Sequence, residues 1–74
     1  MTGRVIRVFM SKKYGFIKGE DGLEYFFHED DFNGFFNDLD MDIKMGRTPK
    51  VNYESVPSEK GPRAAEISRV DAGV

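Results

Sequence analysis

The chain has 74 residues, a net charge of −2 at neutral pH and no cysteine. This length fits one domain with a small core, and the missing cysteines exclude both a disulfide framework and a thiolate metal site. The longest uninterrupted apolar runs, 8–10 and 25–27, are too short for a membrane-spanning helix or the core of a signal peptide. We therefore expect one cytoplasmic domain over residues 1–74, with its core within about residues 3–70.

The charges divide the chain into a basic and an acidic segment. Residues 1–19 contain five basic side chains and no acid, whereas residues 20–42 contain nine acids and no lysine or arginine. A solvated surface can carry such a pattern, and so can a charged binding surface. The acidic stretch 29–42 is also a candidate surface for a protein partner.

The predicted elements are short strands, because apolar and aromatic residues alternate with a period of two. Asp21-Gly22 separates two of these segments, and this dipeptide between alternating residues predicts a hairpin. Strands are predicted at residues 4–10, 14–18, 23–28, 50–56 and 63–70. Five short strands with turn-rich connections indicate an all-β barrel or sandwich.

Residues 33–48 are the least regular part of the chain. Leu39, Met41, Ile43 and Met45 alternate with charged residues, which could indicate a short extra strand. The spacing of Leu39 and Ile43 also permits a helical turn. We expect an irregular, extended loop here.

Two predicted strands, 14–18 and 23–28, present a set of aromatic residues. Neighbouring residues in a strand point to opposite faces, so if Ile17 and Phe27 face the core, every second residue faces outward. This outward set has lysines beside it and consists of Tyr14, Phe16, Phe26 and His28, next to Lys12, Lys13 and Lys18.

Aromatic rings beside lysines are typical of surfaces that bind single-stranded nucleic acid. Bases stack on the rings and lysines meet the phosphates. A single strand aromatic is more commonly a core residue, but a domain this small cannot bury both faces of a hairpin. The pattern therefore favours a binding face for RNA or DNA.

The sequence provides little for catalysis or metal binding. His28 is the only histidine, so no nucleophile–base pair or zinc site is indicated. The acids at 38–42 resemble the start of a calcium loop, but Ile43 stands in place of the required glycine and Pro49 in place of the final glutamate. We expect no enzyme activity, no cofactor and no metal.

Four short motifs resemble those of the cold-shock domain family. Residues 12–17, Lys-Lys-Tyr-Gly-Phe-Ile, resemble its first ribonucleoprotein motif, and residues 25–28, Tyr-Phe-Phe-His, resemble its second. Residues 2–5 resemble its opening strand, and residues 60–65 resemble the Lys-Gly-Pro-x-Ala turn before its last strand. The motifs occur in the family's order and cover nearly the whole chain.

The resemblance implies a five-stranded antiparallel Greek-key barrel of the oligonucleotide-binding type (OB-fold). It also implies binding of single-stranded RNA or DNA, and a role as an RNA chaperone that regulates transcription or translation in the cold. No membrane and no small-molecule substrate are implied. The binding residues that it implies, together with the outward set, are Arg7, Phe9, Lys12, Lys13, Tyr14, Phe16, Lys18, Phe26, His28, Phe35, Phe36, Lys60 and Arg63.

Arg7 and Glu29 depart from the family pattern. The family's exposed tryptophan falls on Arg7, which can stack through its guanidinium plane; alternatively, a bulge would bring Phe9 onto the face. Glu29 stands where an aromatic usually follows the motif's histidine. One ring of the pair Phe35 and Phe36 corresponds to the family's loop aromatic. These departures predict weakened binding, and leave a protein-interaction module on the same barrel as the alternative function.

Overall fold

A computed structural model describes residues 1–59 and 61–70. The predicted binding residue Lys60 and the predicted end of the domain, residues 71–74, lie outside the described residues. The strands are β1 (Thr2–Phe9), β2 (Tyr14–Gly19), β3 (Glu24–His28), β4 (Lys50–Val56) and β5 (Arg63–Arg69). A 3₁₀ turn, η1 (Glu29–Asp31), and a helix, α1 (Phe36–Lys44), lie between β3 and β4.

The five strands close into a barrel in the order β1-β2-β3-β5-β4. This order confirms the predicted OB-type barrel. One pairing differs from the prediction: β3 and β5 are parallel, with Phe26 opposite Arg63, whereas the other four pairings are antiparallel. The difference arises because the excursion through η1, α1 and β4 returns the chain to β3 in the same direction.

The predicted hairpin at Asp21-Gly22 joins β2 to β3. Gly22 has φ of 88°, and its amide donates to the Gly19 carbonyl at 3.0 Å. Asp21 accepts the Leu23 amide at 3.1 Å through its side chain, which completes the turn. The register that follows pairs Gly15 with Phe27 and keeps the inward residues of both strands on one side.

Inward side chains from every strand form one core. Its fully buried members include Ile17, Phe27 and Ile67. Gly15 belongs to this inner row, where an added Cβ would lie 2.8 Å from the Phe27 ring and 2.6 Å from the Arg7 carbonyl. Glycine is therefore required at this position for β1 and β2 to approach closely over the Phe27 ring.

The prediction of an irregular loop over residues 33–48 is wrong for its central part, which is α1. Phe36 and Leu39 of this helix are buried in the core, while Met41 and Met45 point to solvent, 60% and 61% exposed. The alternation of apolar and charged residues therefore does not form a strand here. A helix forms because its spacing places Phe36 and Leu39 on one buried face. No helix of the described residues is long and apolar enough to cross a membrane.

Candidate nucleic-acid interface

A bulge in β1 sets which of its side chains face outward. Val5 lies opposite Ile17, but the next pairing is Arg7 opposite Phe16, so Ile6 is an extra residue on β1. The bulge reverses the alternation after Val5 and places both Arg7 and Phe9 on the outer face. The sequence offered Arg7 and Phe9 as alternative replacements for the family's exposed tryptophan, and the structure places both side chains on the outer face.

Four outward rings on β1, β2 and β3 form a contiguous surface, which we call the aromatic platform. It consists of Phe9, Tyr14, Phe16 and Phe26. Centroids of neighbouring rings lie 5.1–6.4 Å apart, mostly tilted or edge-to-face. Phe9 and Phe26 remain 40% and 36% exposed. These rings therefore offer apolar faces to solvent on a sheet whose other face holds the core.

His28 borders the platform opposite Tyr14. Its Nδ1 accepts the Asp30 amide at 3.3 Å, and its own amide donates to the Asp31 carboxylate at 3.0 Å. These two bonds begin the η1 turn and fix the His28 backbone. The imidazole keeps 43% of its side-chain surface exposed, so it extends the platform at the β3 end.

The predicted basic residues surround the platform, but two of them are paired with acids. Arg63 lies opposite Phe26, and its guanidinium is 3.1 Å from the Asp31 carboxylate. The Lys13 ammonium is 3.9 Å from the Glu29 carboxylate. Arg7, Lys12 and Lys18 are exposed and form no ion pair with the described residues.

The rings of Phe35 and Phe36, next to each other at the start of α1, differ in their burial. Phe36 is only 7% exposed, and its ring lies 6.1 Å from that of Phe27. The prediction of Phe36 as a stacking residue is therefore wrong, because helix formation turns its ring into the core. Phe35 is 79% exposed and keeps the candidate role, although it makes no ring contact with the platform.

A cleft that no sequence pattern indicated lies at the edge of the platform. It has a volume of about 370 Å³ and lies between the rings of Phe16 and Phe26 and the turn that contains Ser58 and Pro62. The Lys-Gly-Pro motif was the available signal, but it does not tell which side of the turn faces the sheet. The cleft has room for a planar base beside the two rings.

The groups with shifted pKa values lie away from the platform, near the β2–β3 turn. The Tyr25 hydroxyl donates to the Asp21 carboxylate, which lowers the pKa of Asp21 and raises that of Tyr25. Burial raises the pKa of Tyr53 to about 12. No three His, Asp or Glu side chains converge on a metal position within residues 1–59 and 61–70.

The chain is 38% identical over 56 residues to Cold shock protein 1 of Lactiplantibacillus plantarum. The match covers 76% of this chain and 77% of the relative. The chain belongs to the cold-shock protein family. No family model matches the chain. Cold-shock domains are nucleic-acid-binding modules, so membership indicates nucleic-acid binding as the general function.

Proposed function

We propose that this protein binds single-stranded RNA or DNA by stacking successive bases on the aromatic platform. The observation that carries the proposal is the contact between four rings on one open face of the sheet. Base–aromatic stacking contributes roughly 1–3 kcal/mol per base and tolerates any sequence, because every base has a π-face. A platform of this kind supports binding with little sequence preference.

The surrounding cations support the phosphate part of the proposal. Arg7, Lys12 and Lys18 are available to phosphates, whereas Lys13 and Arg63 must first exchange a carboxylate for a phosphate. This competition supports loose binding. Loose binding to unstructured strands suits an RNA chaperone that regulates transcription or translation in the cytoplasm. Such a binding role requires no enzyme activity.

Titration of ¹⁵N-labelled protein with oligothymidine tests the proposal. We expect amide shifts at Phe16, Phe26 and their neighbours on β1, and little change at Met41 on α1. The affinity should fall with rising salt at a log–log slope of roughly −2, as expected if about three phosphates are neutralised. An absence of shifts on the platform at saturating oligonucleotide would contradict the proposal.

Binding of a protein partner through the acidic stretch 29–42 is the second candidate function. The observation in its favour is the exposure of Phe35, Met41 and Met45, which lie just before, within and just after α1. Exposed apolar side chains among acids suit a basic, amphipathic partner. In the same titration this function predicts no response to oligothymidine on either the platform or α1.

A further inference from the structure

Three basic residues form a row across neighbouring strands, beyond the platform. Lys18 on β2 lies opposite Arg4 on β1, and Arg4 lies opposite Lys50 on β4. Glu24 ends the row on β3, opposite Lys18. We call Lys18, Arg4 and Lys50 the basic row. Of these three residues, only Lys18 was predicted from the sequence to bind nucleic acid.

The three charges of the basic row repel one another. Directly opposed residues on paired strands have Cβ atoms about 5 Å apart, and like charges at this distance repel each other. Among the described residues, no carboxylate lies within ion-pair distance of Lys18, Arg4 or Lys50, and all three are exposed. Glu24, opposite Lys18, and Glu20 in the cleft offset part of this repulsion, and a bound anion would relieve the remainder.

The basic row lines a cleft of about 330 Å³, at the lower end of the range for ligand sites. Arg4 donates to the Thr48 carbonyl at 3.0 Å, which holds its guanidinium on one wall. Lys18 and Lys50 line the cleft as well, and Glu20 is the acid that lies among them. The lining residues thus carry an excess of positive charge.

The cleft is continuous with the platform along β2. Lys18 follows Phe16 by two residues on the same face, a step of about 7 Å. A strand whose bases stack on Phe16 and Phe26 can therefore continue over the cleft without a turn. The ligand chemistry that fits both neighbouring surfaces is a phosphodiester backbone.

We propose that the basic row binds the backbone phosphates of the single strand where it leaves the aromatic platform. Arg4 and Lys50 thereby extend the proposed binding site onto β4. The inference rests on the proposed function, since the platform must first hold the bases. It assigns no base preference to the cleft, because the row offers charges to phosphates and no ring to a base.

The test compares oligothymidines of about four and about eight nucleotides, within the range of site sizes of such barrels. We expect the longer strand to have a salt slope steeper by about one to two, because two or three more phosphates are neutralised. Lys50→Gln should weaken binding of the longer strand by about threefold to tenfold at low salt and leave the shorter one nearly unchanged.

Lys44→Gln is the matched control, because it removes the same charge from the exposed C-terminal turn of α1. It should alter binding of neither oligonucleotide appreciably. If Lys50→Gln weakens both lengths equally, weakens neither, or does no more than Lys44→Gln, the basic row is not a phosphate site and the inference is overturned. If the wild-type protein binds neither oligonucleotide, the proposed function itself fails, and the inference with it.

Discussion

Lys13 and Glu29 are joined by both their backbones and their side chains. The Glu29 amide donates to the Lys13 carbonyl at 2.9 Å, and the Lys13 ammonium lies 3.9 Å from the Glu29 carboxylate. The backbone bond ties the β1–β2 turn to η1 beside the platform. The side-chain pair neutralises one of the cations that the family resemblance assigns to phosphates. Glu29 thus competes directly with the proposed ligand.

Replacing Glu29 should therefore tighten binding of single-stranded oligonucleotides. Glu29→Gln frees the Lys13 ammonium and removes a like charge, and its gain should vanish at high salt because exposed charges are screened. Glu29→Phe also restores an aromatic surface, and a stacking contact contributes roughly 1–3 kcal/mol. Dissociation constants of the three proteins at low and high salt measure both effects. Equal affinities throughout would show that Glu29 lies outside the path of the strand.

Removing a platform ring should weaken binding without unfolding the barrel. Phe16→Ala and Phe26→Ala should each cost roughly 1–3 kcal/mol of binding, because both rings lie on the open face. The control is Ile67→Ala, a fully buried residue whose truncation should cost about 2–5 kcal/mol of unfolding free energy. Chemical denaturation and oligonucleotide titration separate the two effects. A Phe16 variant as unstable as Ile67→Ala would assign that ring to the core.

Lys13→Gly should stabilise the fold. Lys13 has φ of 62°, a left-handed conformation that costs a residue with a Cβ roughly 1–2 kcal/mol. Glycine removes this cost but gains freedom in the unfolded chain, so we expect a net gain of up to about 1 kcal/mol. Lys13→Ala is the control, because it loses the same ammonium and keeps the strain. Equal unfolding free energies of the two variants would contradict this account.

Stability should fall as the pH rises from about 10 to about 12. Tyrosine in the unfolded chain ionises near pH 10, whereas the pKa of buried Tyr53 is raised to about 12. Between these values the unfolded state binds fewer protons than the native state, so the free energy of unfolding decreases with pH, and below pH 10 this contribution is fully present. Thermal unfolding of the wild type across this range should show the decrease.

Tyr53→Phe should reduce that alkaline loss. The Tyr53 hydroxyl is buried and has no hydrogen-bond partner among the described residues, so its removal should also cost little at neutral pH. Tyr14→Phe serves as the control, because Tyr14 lies on the partly exposed platform. The same alkaline loss in wild type and Tyr53→Phe would place the responsible ionisation elsewhere.

The outward faces of β2 and β3 were predictable from the sequence. The pairing of Tyr14 with His28 and of Phe16 with Phe26 contains no bulge, so strict alternation places these side chains correctly. The hairpin was predictable for a similar reason, since Gly22 supplies the positive φ that the turn needs. Local geometry decides both features, and local geometry can be read from neighbouring residues.

Contacts between distant parts of the chain determine the orientation of β1, the formation of α1 and the position of the basic row. The bulge at Ile6 reverses the phase of β1, and it forms because β1 must curve between β2 and β4 to close the barrel. Leu39 and Ile43 fit both a strand and a helix, and the core selects the helix because it buries Phe36 against Phe27. The basic row exists only where β2, β1 and β4 meet, and its members lie between 14 and 46 positions apart in the sequence. No local pattern relates these residues, because their proximity is a property of the closed barrel.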